Sequence, residues 1–413
     1  MIPKVLIATT ARWFPTARLA MALARAGFVV EAVCPSNHPL RKISVMGEIY
    51  DYDGFTPLRS FAQAVNAAAP DLIIPGDEYA VRYIHKLYEQ APRRGTQGEQ
   101  IRALIERSLG PATSFQVLAA RAAVMRVARE ESIRVPRTRV VSNAAELKDC
   151  SEKFLFPFVL KADGSSSGEG VRIVRTFEEA RRAFRVLQSP PSAIRVAKRA
   201  LIDQDLRCVV PALLRQRNTI NAQEFIHGTD ATSLAACWRG TVCASLHFEV
   251  IKKQHTNGPA SVMRRLENNE LDLAVARMVR RLNLSGLHGF DFLLEEHTGN
   301  PYLIEVNPRP TQVGHLTLGQ GRDLPAALYA AVTGAEPEDA PAVTEKDTIA
   351  LFPQEWIRNP RSVLLRSGFH DIPWEEPELV RAGARSRRSW RSWSARKKWA
   401  SLFLAEKVPP VNE

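Results

Sequence analysis

"GFDFLLEEHTGNPYLIEVNPRP", residues 289–310, reads as two strands around a tight turn, with acids placed along otherwise apolar runs. The loop "HTG" has three residues, and a three-residue hairpin ends in a left-handed position, which Gly299 supplies. Glu296 then faces Asn300, and counting back along both strands sets Asp291 opposite Glu305. Alternate residues of a strand share a face, so Glu305 and Asn307 point the same way as Asp291. Carboxylates held with Cβ atoms about 4.5–5.5 Å apart repel unless a cation lies between them. Two carboxylates and an amide suit Mg²⁺ completed by water and phosphate oxygens. The alternative is a solvated face with unremarkable acids. Apolar neighbours around each ligand argue against it, because they imply a buried sheet where unpaired acids are costly.

A second stretch, "FPFVLKADGSSSGEGV" at 156–171, sets Lys161 just before a Gly/Ser run, between two segments with strand character. A P-loop is excluded, since there the lysine follows the glycines and opens a helix. The expected structure is a hairpin with a long tip, a flap from Gly164 to Gly170.

The chain of 413 residues is long enough for about three domains at roughly 100–200 residues each. No stretch reaches the ~18 apolar residues of a membrane span, and the start lacks a leader's pattern, so a soluble, unprocessed, cytoplasmic protein is expected. Cysteines 34, 150, 208, 237 and 243 form no C-x-x-C, which suits reduced thiols and not zinc. Of the net charge of +12, eight positive charges lie between Arg381 and Lys398, a segment without acids. The basicity belongs largely to a tail, and the near-neutral body argues against a nucleic-acid fold.

The first hundred residues alternate strand and helix signals, "KVLIAT", "RLAMALARAG", "FVVEAVCP", "PDLIIPGDE" and "YAVRYIHKLYE", with Gly27 ending the first helix. Such βαβ order gives a parallel sheet whose ligands sit at the carboxyl ends of its strands. Thr9, Thr10, Arg12, Asp77 and Glu78 are the candidates there, and Asp77 equally suits a helix cap. No GxGxxG supports a dinucleotide site. "APRRGTQGEQ" (91–100) is a candidate boundary, followed by one helix over "SFQVLAARAAVMRVAREE" (114–131). Strands follow at "TINAQEFI", "ATSLAACW" and "TVCASLHFEV", then a helix at "NELDLAVARMVRRLN" and the acidic hairpin. The remainder from about 340 is Pro- and charge-rich.

A lysine on a flap and acids on a hairpin define one task, holding a nucleoside triphosphate and Mg²⁺ between two lobes. "FPFVLKADGSSSGEGV", "INAQEFIHGTD" and "GFDFLLEEHTGNPYLIEVNPRP" together resemble the ATP-grasp superfamily over about residues 1–335. The likeness is nearest to its carbamoyl-phosphate-synthase-like, carboxylate-activating members. It implies a fold of mixed α/β and α+β type. Residues 1–110 would be a Rossmann-like pre-ATP-grasp domain, 111–204 an N-lobe with the flap, 205–335 a C-lobe with the metal hairpin, and 336–413 an extension with a basic tail.

The resemblance implies ATP and two Mg²⁺ ions, with Mn²⁺ as a substitute, on Asp291, Glu305 and Asn307. Lys161 would contact the α and β phosphates, and Ser165, Ser166, Ser167 and Gly168 would close over them. Glu224, Phe225 and Ile226 would form the linker at the adenine edge, with Asp230 at the ribose hydroxyls. Arg121 stands where many members carry Lys, leaving a phosphate contact and a solvated helix position both open. Likewise Glu224 is compatible with a plain exposed strand position. Arg309 would stand by the transferring phosphoryl group. The implied activity is a carboxylate–amine ligase with small-molecule carboxylate and amine substrates, alone or as a homo-oligomer. A kinase, a carboxylase-like enzyme and a non-catalytic ATP-binding protein are the rivals. The tail "RRSWRSWSARKKWASLFLAEK" suits a basic amphipathic helix, for docking on an acidic flank or a partner subunit or for peripheral membrane contact, with a disordered tail or one touching nucleic acid by charge alone as the remaining reading.

Overall fold

The apolar runs Lys4–Ala8 (β1) and Val29–Cys34 (β2) are buried along nearly their whole length, as parallel strands covered on both faces must be. With Ile49–Asp51 (β3) and Leu72–Pro75 (β4) they form a parallel sheet ordered β3-β2-β1-β4. The computed structural model describes residues 2–92, 95–163, 170–189, 218–256, 258–336 and 340–384. Helix Phe14–Arg25 (α1) packs on one face of the sheet. Helices Pro57–Ala68 (α2), Glu78–Gln90 (α3) and Thr96–Leu109 (α4) cover the other. Gly27, at φ +104°, takes the left-handed turn that ends α1.

Asp77 caps α3, accepting from the Tyr79 and Ala80 N–H groups, and also accepts from Thr9, Thr10 and Ala11. Its carboxylate is therefore spent on pinning the β1 loop to the β4 loop. That is the capping role which the sequence left open.

The single helix expected over 114–131 is two helices, Ala112–Ala119 (α5) and Arg121–Glu130 (α6), broken at an extended Ala120. No Gly or Pro marks the break. Polar contacts make it: the Arg121 N–H lies 3.3 Å from the Asp163 carboxylate, so Arg121 opens a helix instead of riding in the middle of one.

The N-lobe is an antiparallel sheet ordered β5-β8-β6-β7. Its strands are Thr138–Val141 (β5), Phe158–Ala162 (β6), Val171–Val174 (β7) and Ile220–Glu224 (β8). Helices Ala144–Lys153 (α7) and Phe177–Gln188 (α8) close one face over a core of its own. Strands β6 and β7 pair antiparallel with Lys161 opposite Val171, as the flap reading requires, and the Ala162 N–H donates to Gly170 O at the base. The tip, with Ser165, Ser166, Ser167 and Gly168, lies outside the described residues, as do all residues beyond 384.

The C-lobe is a seven-stranded sheet ordered β13-β12-β9-β10-β11-β14-β15. It comprises Gly228–Trp238 (β9), Thr241–Lys253 (β10), Ala260–Arg265 (β11), Gly286–Glu295 (β12) and Pro301–Asn307 (β13). Thr348–Leu351 (β14) and Phe369–Asp371 (β15), from the stretch read only as Pro- and charge-rich, complete it. Helix Asn269–Leu282 (α9) packs on one face with α6. The opposite face joins helix Leu324–Thr333 (α10) and the N-terminal domain in one continuous core.

Candidate active site

Two departures from simple hairpin counting cancel at the acidic pair. The turn closes one residue earlier than expected: Glu295 N–H donates to Asn300 O, and Gly299 N–H donates to Glu295 O at 2.8 Å. The Glu295 carboxylate draws the turn shut by accepting from Thr298. A bulge at Ile304 then restores the count, and Asp291 lies opposite Glu305 with Gly289 opposite Asn307. Gly299 takes φ +72°, the left-handed turn position anticipated for it.

Asp291 is fixed on both oxygens, accepting from Thr232 Oγ1 and from Asn307 Nδ2, each at 2.9 Å. Burial, and then the charge of Glu305, push its carboxyl up to about 6. Burial also raises Glu305, but Arg121, Lys161 and Arg309 outweigh it and hold that carboxyl below its ordinary value. Arg121 is 9% exposed, and its Nη2 lies 2.8 Å from Glu305 Oε1, which excludes the solvated helix position. Asp163, just past the end of β6, accepts from Asn221 Nδ2 on the neighbouring β8 at 2.8 Å and completes the setting of Arg121.

Lys161 comes from the opposite lobe, on β6, 7% exposed. Burial and the Arg121 charge push its ammonium down to about 8 against the upward pull of Glu305, Asp291 and Asp230. Among the described residues no acid lies within ion-pair distance of it, yet Glu305, Asp291 and Asp230 are near enough for their charges to act on it. Arg309 follows β13, with Nη2 at 3.4 Å from Asn307 Oδ1 and Nε at 3.7 Å from Glu78 Oε2. Glu78 opens α3, so the N-terminal domain contributes an acid to the same chamber.

The structure thus gathers Lys161, Arg121, Asp291, Glu305, Asn307 and Arg309. Glu224 turns its carboxylate outward to Arg137 at 3.0 Å and spends its backbone N–H on Arg137 O. Phe225 and Ile226 follow β8 half-buried, with the Phe225 ring edge-on to His227. Asp230 forms an ion pair with Lys253 at 2.7 Å. His288 is buried against Ser285 O, a structural place. Thr232, Asn221 and Asp163 were not anticipated: Thr232 and Asn221 reach the site only through strand pairing, which leaves no mark in a linear sequence.

Among the described residues no cluster of three His, Cys, Asp or Glu side chains stands ready to hold a metal. The donor set is instead two carboxylates and one amide oxygen. It fits a hard dication that keeps several positions for water and phosphate, and the raised Asp291 marks a charge that such a cation would relieve.

Residues 209–313 match the ATP-grasp domain family. The chain is 28% identical over 192 residues to an acetyl-CoA carboxylase of Dictyostelium discoideum, which spans 45% of this chain and 7% of that protein. It is 24% identical over 245 residues to a formate-dependent phosphoribosylglycinamide formyltransferase of Ignicoccus hospitalis, covering 56% of this chain and 55% of that one. Among solved structures, the ADP complex of the Staphylococcus aureus N5-carboxyaminoimidazole synthetase superposes with a TM-score of 0.56 at 15% identity, covering 81% of this chain and 78% of that chain. The biotin carboxylase domain of the Hydrogenobacter thermophilus 2-oxoglutarate carboxylase, with MgADP and bicarbonate, gives 0.55 at 15%, covering 83% and 72%.

Proposed function

We propose that this chain, which has the ATP-grasp fold, is an ATP- and Mg²⁺-dependent ligase that activates a substrate carboxylate as an acyl phosphate for attack by an amine. The observation carrying this reading is the grouping of Asp291, Glu305 and Asn307 on one hairpin, with Arg121 and Arg309 against it and Lys161 near enough for the two carboxylate charges to act on its ammonium. Mg²⁺, when bound, would neutralise phosphate oxygens beside the two carboxylates. Lys161 and Arg121 hold the phosphate chain by charge, and Arg309 supports the transferring phosphoryl group. A carboxylate oxygen attacks the γ-phosphorus and ADP leaves; the amine nitrogen then attacks the acyl carbon and phosphate leaves. Glu78 stands on the N-terminal side of Arg309, where it suits the amine and its proton. No covalent protein nucleophile is needed, because positioning and electrostatics carry phosphoryl transfer.

A second reading has bicarbonate as the carboxylate, making the reaction a carboxylation. The likeness to N5-carboxyaminoimidazole synthetases and to a biotin carboxylase domain favours it. ADP release from MgATP, measured over a panel of carboxylates that includes bicarbonate, formate and glycine, each with and without amines, tests both. The expected result is stimulation by one carboxylate, with a C–N bonded product only when an amine is present. A stable phosphorylated product needing no amine would replace the ligase with a kinase.

A further inference from the structure

Three buried ionisable side chains take no part in the chemistry above. Arg18 on α1, His315 in the loop after β13 and Asp371 on β15 are 6%, 4% and 2% exposed. Asp371 accepts from Arg18 Nη2 on Oδ1 at 2.5 Å and from His315 Nε2 on Oδ2 at 2.6 Å. Burial raises the Asp371 carboxyl, but His315 and Arg18 outweigh it and hold it down to about 2. Burial lowers His315 against the upward pull of Asp371, and the imidazole N–H and one guanidinium share the carboxylate. His315 Nδ1 has no hydrogen-bond partner among the described residues, which leaves Nε2 as the ring's polar tether.

The trio joins three distant parts of the chain: the first helix, the loop that carries Arg309, and the far edge strand of the C-lobe sheet. That loop is also wedged sterically. A Cβ at Gly314 would lie 2.8 Å from Leu234 Cδ2 on β9 and 3.5 Å from Leu19 Cδ1 on α1. A buried ion pair of this kind adds little net stability over packed apolar side chains, so what it contributes is a fixed geometry.

We propose that Asp371 is a positioning residue: through His315 it sets the loop bearing Arg309, and through Arg18 it locks that loop to the N-terminal domain. The catalytic consequence rests on the role given to Arg309 above; the tether itself does not. The C-terminal segment is then a working part of the site, although it contributes no group to it.

His315→Leu is the decisive variant, because the Arg18–Asp371 pair survives and no buried charge is stranded. In the full chain, hydrogen exchange of peptides covering 308–316 should rise on the order of tenfold, while peptides from α7 stay unchanged. Mg²⁺-dependent ADP release should fall about 10- to 100-fold in kcat with the KM for ATP within about twofold, since a misplaced group costs turnover and not nucleotide binding. His315→Gln keeps an N–H within reach of Asp371 and should recover most of both. Parental exchange in His315→Leu, or a Gln variant as impaired as the Leu variant, would overturn the proposal. If Arg309→Ala keeps the parental rate, the ligase reading of Arg309 fails, while the exchange arm still decides the tether.

Discussion

Glu305→Gln keeps the fold and loses on the order of 10²-fold or more in Mg²⁺-dependent turnover, the size of effect seen when one charge-stabilising group is removed from a preorganised site. The amide preserves the volume and one acceptor for the Arg121 guanidinium, which now lies 2.8 Å from Glu305 Oε1. What disappears is a negative charge, and with it half of the carboxylate pair that makes the hairpin attractive to a dication. Asp291 then loses the neighbour whose charge helps to raise its carboxyl to about 6 and titrates nearer its ordinary value. The check is ADP release at saturating ATP over a Mg²⁺ titration, beside a circular dichroism melt. Turnover at the parental rate by a folded variant would remove the hairpin from the chemistry.

Lys161→Ala weakens ATP binding by about tenfold or more, or ~1.4 kcal/mol. A cation about 4 Å from a phosphate oxygen contributes on the order of 4 kcal/mol at an effective dielectric near 20, and solvent recovers part of that in the variant. The ammonium is pushed down to about 8, so its charged form is present below that pH and is lost as pH rises through it. The parent protein should therefore bind ATP more weakly at pH 9 than at pH 7, and the Ala variant should lose this part of the dependence. Calorimetric titration at the two pH values reads both effects. Equal affinities in parent and variant would break the assignment of the β6 lysine to the phosphates.

Side-chain type and spacing made the two motifs legible, while long-range pairing hid the rest. The acids of residues 289–310 could be paired from their spacing, yet the turn and the bulge at Ile304 each departed from plain counting, and the right pairing came out because the two shifts cancel. Arg121 was legible only as a cation whose place, at a phosphate or on a solvated helix, stayed open. Its buried pairing with Glu305 was not, because that depends on a helix break made by Asp163, 42 residues away. Strands of three and four residues such as β15 and β14 are too short to show alternation, so the segment that carries Asp371 read as irregular. The parallel sheet of the N-terminal domain was plain because its strands are continuous apolar runs separated by helices.

Carboxylate activation can be tested by following an atom. With the carboxylate that stimulates ADP release supplied in oxygen-18-labelled form, together with its amine and MgATP, the released phosphate is analysed by mass spectrometry. The account predicts one labelled oxygen per phosphate, because the carboxylate oxygen that attacks the γ-phosphorus departs with it. Phosphate free of label, formed while the C–N product accumulates, would contradict an acyl phosphate and with it the proposed function.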